Sequence, residues 1–414
     1  SALPAVLVRG LCKGVTFVSC VGRGRGYMLR SMPKATLAVL QVGGKAFRMP
    51  RQRHGLDTQT FRRVCVASAF ASAIASVCCF GGTGGALRAF GSVASARLVG
   101  VATRLEVWTF NLRTEHQEKN DGRNGWSKRR EGVAKLIHDR QPSLVCVQEA
   151  TGPMIDFLAK QIGDGDYAWA ATSRTPGRID ESAGFLFDRR RLELRDHSAT
   201  WLAPPGAPVG KPAWDAACPR TFETAVFHVF GTDGAPLTDA SPPCLRVINT
   251  HLDHVGVQAR LCSAKLLAQA VSAGADEWPH CAQIVCGDFN SPKGHGNAVY
   301  ELLTASQQNS GAGLHDVMRA VPVCGMVPST FHKFEGPEFN AQMGDGTVDL
   351  RAGHATPDAR HIDWMLWCNA TTGARLRPLK SEVVLDQCLD GRWPSDHFPI
   401  SATFEVIADK RRPR

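Results

Sequence analysis

Hydrophobic and polar positions fall into a new pattern at residue 104. From there RLEVWTFNLR (104–113) alternates apolar with polar positions, the mark of a strand with one buried face. SKRREGVAKLIHDR (127–140) sets Val133, Leu136 and Ile137 at helical spacing, and SLVCVQEA (143–150) is a short apolar run that ends on an acid. AGFLFD, ETAVFHVF, LRVINTHLD, AQIVCGDFN, HIDWMLW and ISATFEV are further runs of strand character. Helices are expected at 127–140, 153–162, 256–273 and 297–305. Pro-rich stretches at 203–212 and 236–243 read as surface loops, as does the Gly- and Asp-rich 336–360. Strands and helices mix, several strands follow one another directly, and the fold class is therefore α/β. No internal repeat is apparent.

Residues 1–103 lack any sustained alternation or helical stripe and are rich in Arg, Ala, Ser, Gly and Val. That composition points to organelle targeting, plastid or mitochondrial, or to a disordered tail. VCVASAFASAIASVCCF (64–80) offers a signal peptide or membrane anchor as the alternative, although it is short for a span of about 20 residues. Residues 104–407 form the expected main domain, and 408–414 a basic C-terminal tail.

Charge sharpens this division. The formal net charge is +10, but residues 1–100 hold 14 of the 48 Lys and Arg and only one of the 38 acids, Asp57. The remaining residues carry 34 basic and 37 acidic side chains, or −3, so the basic balance says little about nucleic-acid binding by the main domain. The 14 cysteines contain no CxxC pair. Zinc and a disulfide scaffold are disfavoured on that spacing, buried thiols are expected at Cys146 and Cys286, and a reducing compartment is favoured.

Candidate chemistry lies where the apolar strands run out. Asn111, Glu149, His251, Asp288 with Asn290, and Asp363 stand at strand ends, and Asp396 with His397 precedes the last strand. Every strand ends in something polar, so one such residue means little; a repeated set of acids, amides and imidazoles implies one constellation at one rim of a sheet. Hard divalent cations take oxygen ligands, which suits Glu149, Asp396 and Asn111, and leaves the imidazoles for proton transfer. Blander roles exist for each: a turn former at Asn111, a helix-entry acid at Glu149, an Asx turn at Asp288 and Asn290, capping by His254, and packing by Trp126 and Arg129.

In order and separation, NLR, VQEA, NTHLDH, GDFNSP, HIDWM and SDHFPI resemble the motifs of the endonuclease/exonuclease/phosphatase superfamily. GDFN or SDH alone is weak; six motifs in register over 104–407 are strong. The resemblance implies a four-layered α/β sandwich, two mixed sheets packed face to face with helices outside. It also implies phosphoester hydrolysis with Mg²⁺, Mn²⁺ being the alternative.

On that likeness Glu149 is the principal metal ligand, helped by Asn111 and Asp396. Asp288 orients or deprotonates the attacking water, and Asn290 donates to the developing phosphorane oxygens. His397 acts on the phosphate or leaving group with Asp363 fixing its tautomer, and His251 donates to a non-bridging oxygen or assists the leaving group. Arg220 and His332, the latter within STFHKF, are expected to contact substrate. The substrate classes left open are nucleic acid, nucleotide, sugar phosphate and lipid head group, acted on by a monomer with no obligate protein partner. An inactive relative serving as a binding module is the alternative from another class, and it would be marked by a missing ligand or a missing GDFN.

Overall fold

The computed structural model describes residues 102–163, 165–237, 242–294, 296–305, 313–325, 327–339 and 361–408, together with four short N-terminal strands. The chain divides into two units, 1–94 and 95–414. In the first, Val6–Val8 pairs antiparallel with Val18–Cys20, and Val39–Val42 with Lys45–Arg48. The stretch 64–80 and most of 336–360 lie outside the described residues. Among the described residues no helix is long and apolar enough to cross a membrane.

The second unit holds two mixed sheets. The seven-stranded sheet contains β1 (Ala102–Asn111), β2 (Leu144–Gln148), β3 (Tyr167–Ala170) and β4 (Phe185–Asp188). The six-stranded sheet contains β5 (Leu192–Trp201), β6 (Thr221–Val229), β7 (Cys244–His251), β8 (Cys281–Asp288) and β9 (His315–Asp316). The chain then contributes β10 (Val323–Cys324) to the first sheet, β11 (Asp363–Cys368) to the second, and β12 (Arg375–Val383) and β13 (Ile400–Ile407) to the first. Strand order is β10-β12-β13-β1-β2-β4-β3 in one sheet and β9-β11-β8-β7-β6-β5 in the other.

Alternation decides what lies between the sheets. Leu105 and Val107 of β1, Leu144 and Cys146 of β2, and Phe185 and Phe187 of β4 meet Phe227, Leu245, Val247, Ile284, Cys286 and Met365 of the opposite sheet in one buried cluster. The other parity faces outward. Trp108, Phe110, Val145, Val147 and Leu186 pack under α1 (Trp126–Arg140) and α2 (Gly152–Gln161) through Val133, Ile137, Ile155 and Leu158. Ile248, Val285, Trp364 and Leu366 pack under α3 (Val257–Glu277) and α4 (Ala298–Thr304) through Leu267, Val271, Val299 and Leu303. The result is the expected four-layered α/β sandwich.

Helix starts follow local chemistry. The Thr151 hydroxyl accepts from Met154 N at α2, and the Asn297 side chain accepts from Val299 N and Tyr300 N at α4. At α3 the caps come from elsewhere: Asp215 accepts from the N–H groups of Gln258 and Ala259 at 3.1 and 2.7 Å. Cys146 and Cys286 are buried free thiols, as expected, whereas Cys244 and Cys281 form a disulfide. Those two residues are register partners at the start of β7 and β8, a proximity that their separation of 37 residues conceals.

Candidate active site

The inter-sheet core turns polar one layer before the strands end. Gln148 Nε2 donates to Thr109 Oγ1 at 3.0 Å and to Asn249 Oδ1 at 2.6 Å, bridging the two sheets. One step further along the same parity stand Asn111, His251, Asp288 and Asp363. Parallel pairing of β1 with β2 and of β7 with β8 carries all four of those strands toward the same rim, and register sets His251 beside Asp288 and Asp288 beside Asp363.

Backbone strain marks this rim. Arg113, Glu149 and Asn290 adopt φ of 56°, 55° and 44°, a region that Asn enters readily and Arg or Glu rarely. Clustering of such conformations at strand ends is what a functional site requires when side chains must be aimed against backbone preference.

The cavity at the rim has a volume of about 450 Å³ and is lined by Glu149, His251, Asp288, Asn290, Asp396 and His397, with Arg220 in its wall. Asn111 and Asp363 are fully buried directly behind these groups. Asn111 Nδ2 donates to Glu149 Oε1 and to Asp288 Oδ2, each at 3.0 Å, while its Oδ1 accepts from Arg113 N at 3.0 Å. Asn111 therefore braces two carboxylates, with its oxygen turned to the backbone. Thr114 N holds the other oxygen of Glu149 at 3.1 Å.

His397 Nδ1 lies 3.0 Å from Asp363 Oδ2, and its Nε2 lies 3.9 Å from Asp288 Oδ2. His251 Nε2 is 3.4 Å from the same Asp288 oxygen. Asn290 donates its backbone N–H to Asp288 Oδ1 at 2.9 Å, and its Nδ2 lies 3.0 Å from both His251 Nε2 and Leu252 O. Its amide is thus engaged in orienting His251, whereas the sequence reading aimed it at phosphorane oxygens. Phe289, between the two polar residues, stacks on Trp364 with ring centroids 4.2 Å apart and anchors the turn in the core.

The electrostatics divide the groups by role. Burial opposes the charge of Glu149, yet Arg113, the Asn111 amide, His397 and the Thr114 N–H hold it below the usual carboxylate range. Burial, reinforced by Asp363, pushes Asp288 up to about 7. Burial also disfavours a charged His397, but Asp363, Asp288 and Asp396 outweigh it and raise the ring to about 10. For His251, burial with Arg220 and Arg174 nearby pushes the ring well below its ordinary value. The site therefore presents one cationic imidazole, one neutral imidazole and a carboxylate poised near neutrality.

Arg220 lines the cavity with Nε 3.4 Å from Asp253 Oδ2 and Nη2 3.0 Å from His254 Nδ1. His332 corrects the sequence reading. It is fully buried, stacked on Phe398 at 3.8 Å, and it is Phe331, one residue earlier, that faces the cavity. In STFHKF the aromatic ring points to the site and the imidazole into the core, the reverse of what polarity suggests.

Several cavity residues carried no sequence assignment. Arg113, adjacent to Asn111 in the NLR motif, is held by Asp121 at 2.9 Å and approaches Asp396 at 3.7 Å. Arg174, Glu181 and Lys333 also line the wall, as does His254, which the sequence reading took as a cap; Arg174 and Glu181 come from a loop without periodicity, which offers no signal. Arg129, read from the sequence as packing, is a clasp. Its guanidinium donates to the carbonyls of Asn124, Leu112, Arg113 and Pro394, fixing the loop after β1 against the loop that carries Asp396.

Could these residues hold a divalent cation? Half-buried Glu149 and buried Asp288 and Asp396 line one cavity with buried Asp363 behind them, and oxygen atoms of Asp288 and Asp363 with a nitrogen of His397 lie within 4.8 Å of one another. Glu149 and Asp396 raise the cost of each other's charge, and oxygen donors of this kind fit a hard cation.

The family model for the endonuclease/exonuclease/phosphatase family matches residues 108–397, more than half of the chain. No curated protein matches. Among solved structures, the endonuclease/exonuclease/phosphatase from Bacteroides vulgatus is similar at 24% identity, covering 73% of this chain and 99% of its own, with a TM-score of 0.58. A family protein from Bacteroides thetaiotaomicron matches at 18% identity over 76% and 99%, TM-score 0.59. The mannosyl-6-phosphatase Bt3783 of Bacteroides thetaiotaomicron matches at 19% over 72% and 99%, TM-score 0.57. Fold, strand-end constellation and family model agree: the chain belongs to the endonuclease/exonuclease/phosphatase family.

Proposed function

We propose that this protein is a divalent-metal-dependent hydrolase of phosphoesters, EC class 3.1, acting by in-line attack of water. The observation that carries the reading is Asp288, joined through Asn111 to Glu149 on one side and facing His251 and the His397–Asp363 pair on the other. The family name covers nucleases and phosphatases, both of which cleave phosphoesters.

Asp288 takes the proton of the attacking water as the new P–O bond forms. His397, kept protonated by Asp363, neutralises charge on the phosphoryl oxygens and gives its proton to the departing oxygen as that P–O bond breaks. Neutral His251 accepts at Nε2 from the Asn290 amide and packs beside Asp288 as a positioning group. Glu149 and Asp396 would hold Mg²⁺ or Mn²⁺, which supplies Lewis-acid stabilisation of phosphoryl charge. The presence of every ligand and of GDFN argues against an inactive binding module.

Removal of metal tests this reading directly. Hydrolysis of p-nitrophenyl phosphate or bis(p-nitrophenyl) phosphate by the full chain is expected to vanish in EDTA and to return with Mg²⁺ or Mn²⁺; turnover undiminished by EDTA would refute it. The pH profile follows from the same groups. Asp288 must be ionised, so kcat/KM falls on the acid side, at a pH that a bound cation moves down from about 7. His397 must stay protonated, so activity falls again as pH rises through about 10. A profile flat from pH 5 to 11 would remove both assignments.

A further inference from the structure

We propose that the wall formed by Arg174, Glu181, Arg220 and His254 is a subsite for a vicinal diol, so that the substrate is the phosphate ester of a polyol such as a sugar. The inference rests on the phosphoesterase reading and names the class of group that leaves.

The first support is charge compensation. Arg174 bonds Asp180 through Nε at 3.1 Å and Glu181 through Nη1 at 2.6 Å. Arg220 bonds Asp253 and His254 through Nε and Nη2. Two guanidinium groups thus stand among three carboxylates, and a second phosphate on the substrate would meet no net positive charge there. The second support is the alternation of donors and acceptors. Each guanidinium spends two of its three nitrogens on these partners, which leaves one on each, among the described residues, as a donor. Arginine only donates, so His254 accepts at Nδ1 and carries its proton on Nε2. Glu181 supplies acceptor oxygen between these donors. A hydroxyl both donates and accepts, and two adjacent hydroxyls match a carboxylate flanked by guanidinium groups.

Position is the third support. Arg174, Glu181 and Arg220 share a narrow cleft with His251, which ties the wall to the reacting centre. The cavity of about 450 Å³ fits a small ligand, and the −3 balance of the residues beyond 100 lacks the cationic excess that nucleic acid demands.

Turnover of glucose 6-phosphate, ribose 5-phosphate and inositol 1-phosphate against n-hexyl phosphate by the full chain with Mg²⁺ tests the subsite. At least one polyol ester is expected to exceed n-hexyl phosphate in kcat/KM by about tenfold, mainly through KM, as hydrogen bonds to charged groups allow. The preferred polyol tells hexose, ribose and inositol apart. Glu181→Gln and Arg174→Met are each expected to shrink that ratio by about tenfold, with Arg174→Lys giving a smaller loss. Equal kcat/KM for polyol and hexyl esters, or faster hydrolysis of bisphosphates than of monophosphates, would overturn the proposal. Saturation-transfer NMR of free glucose, ribose and inositol reads the subsite without any hydrolysis. Signal in the wild type that is lost in folded Glu181→Gln supports the subsite, and no signal from any of the three polyols counts against it. If neither ester class were hydrolysed, the phosphoesterase reading would fail, and the NMR result would still judge the subsite by itself.

Discussion

Replacing His397 with Ala is expected to lower kcat for a phosphoester by about 10²- to 10⁴-fold while leaving the protein folded. The ring is nearly buried, so the substitution removes a cation that Asp363, Asp288 and Asp396 all face. Phosphoryl charge in the transition state then has no imidazolium to meet, and the departing oxygen no proton donor. Leaving groups of low pKa depend least on that proton, so the defect is expected to be smaller for p-nitrophenyl phosphate than for an alkyl phosphate. Asp363→Asn should reproduce part of the loss by withdrawing the carboxylate that holds Nδ1. Steady-state kinetics with both esters, alongside circular dichroism, checks this; a His397→Ala protein with wild-type kcat would sink the role assigned to the ring.

The second large effect is one of stability. Gly287 has φ of 145°, and a Cβ placed there would lie 2.0 Å from the carbonyl oxygen of Thr250, its register partner on β7. Neither strand has room to yield without parting His251 from Asp288. Gly287→Ala is expected to cost about 3 kcal/mol or more through backbone strain and overpacking. That lowers Tm by about 5 °C or more for a domain of this size. Thermal unfolding followed by circular dichroism measures it, and an unchanged Tm would show that the two strands are not packed as described. Any folded fraction should have reduced kcat, since the strain falls one residue from Asp288.

Interior strands were legible because their sequence carries the pattern that burial imposes. Strands β1, β2, β7, β8 and β11 were found with their terminal polar residues, since a buried strand must be apolar until it reaches a rim. Peripheral strands were legible only in part, FDRRRLEL (187–194) reading as a hairpin or strand edge. Strand β5, at the sheet edge, reads LELRDHSATW, with many exposed positions, and charged edges are how sheets avoid further pairing. Strand β12 contains Pro378 at a register shift, a residue that argues against a strand unless a bulge accommodates it.

Parity governed the site as well. Asp288 and His251 share an inward parity that alternation predicts, but STFHKF is an irregular segment in which Phe331 rather than His332 faces the cavity, and period two has no authority there. The partners of Arg113, Arg174 and Arg220 are set by loops meeting in space. No spacing along the chain announces them.

The clasp at Arg129 has a consequence for synthesis. One guanidinium holds the carbonyls of Leu112 and Pro394, 282 residues apart in sequence numbering, and β13 completes the middle of its sheet between β12 and β1. While the chain is being made, Asn111 and Glu149 leave the ribosome long before the segment that brings Asp396 and His397. A nascent chain therefore holds an incomplete constellation until nearly all of it has been translated. The constellation at the rim closes only when the segment before the last strand arrives, so chains released early by the ribosome lack Asp396 and His397.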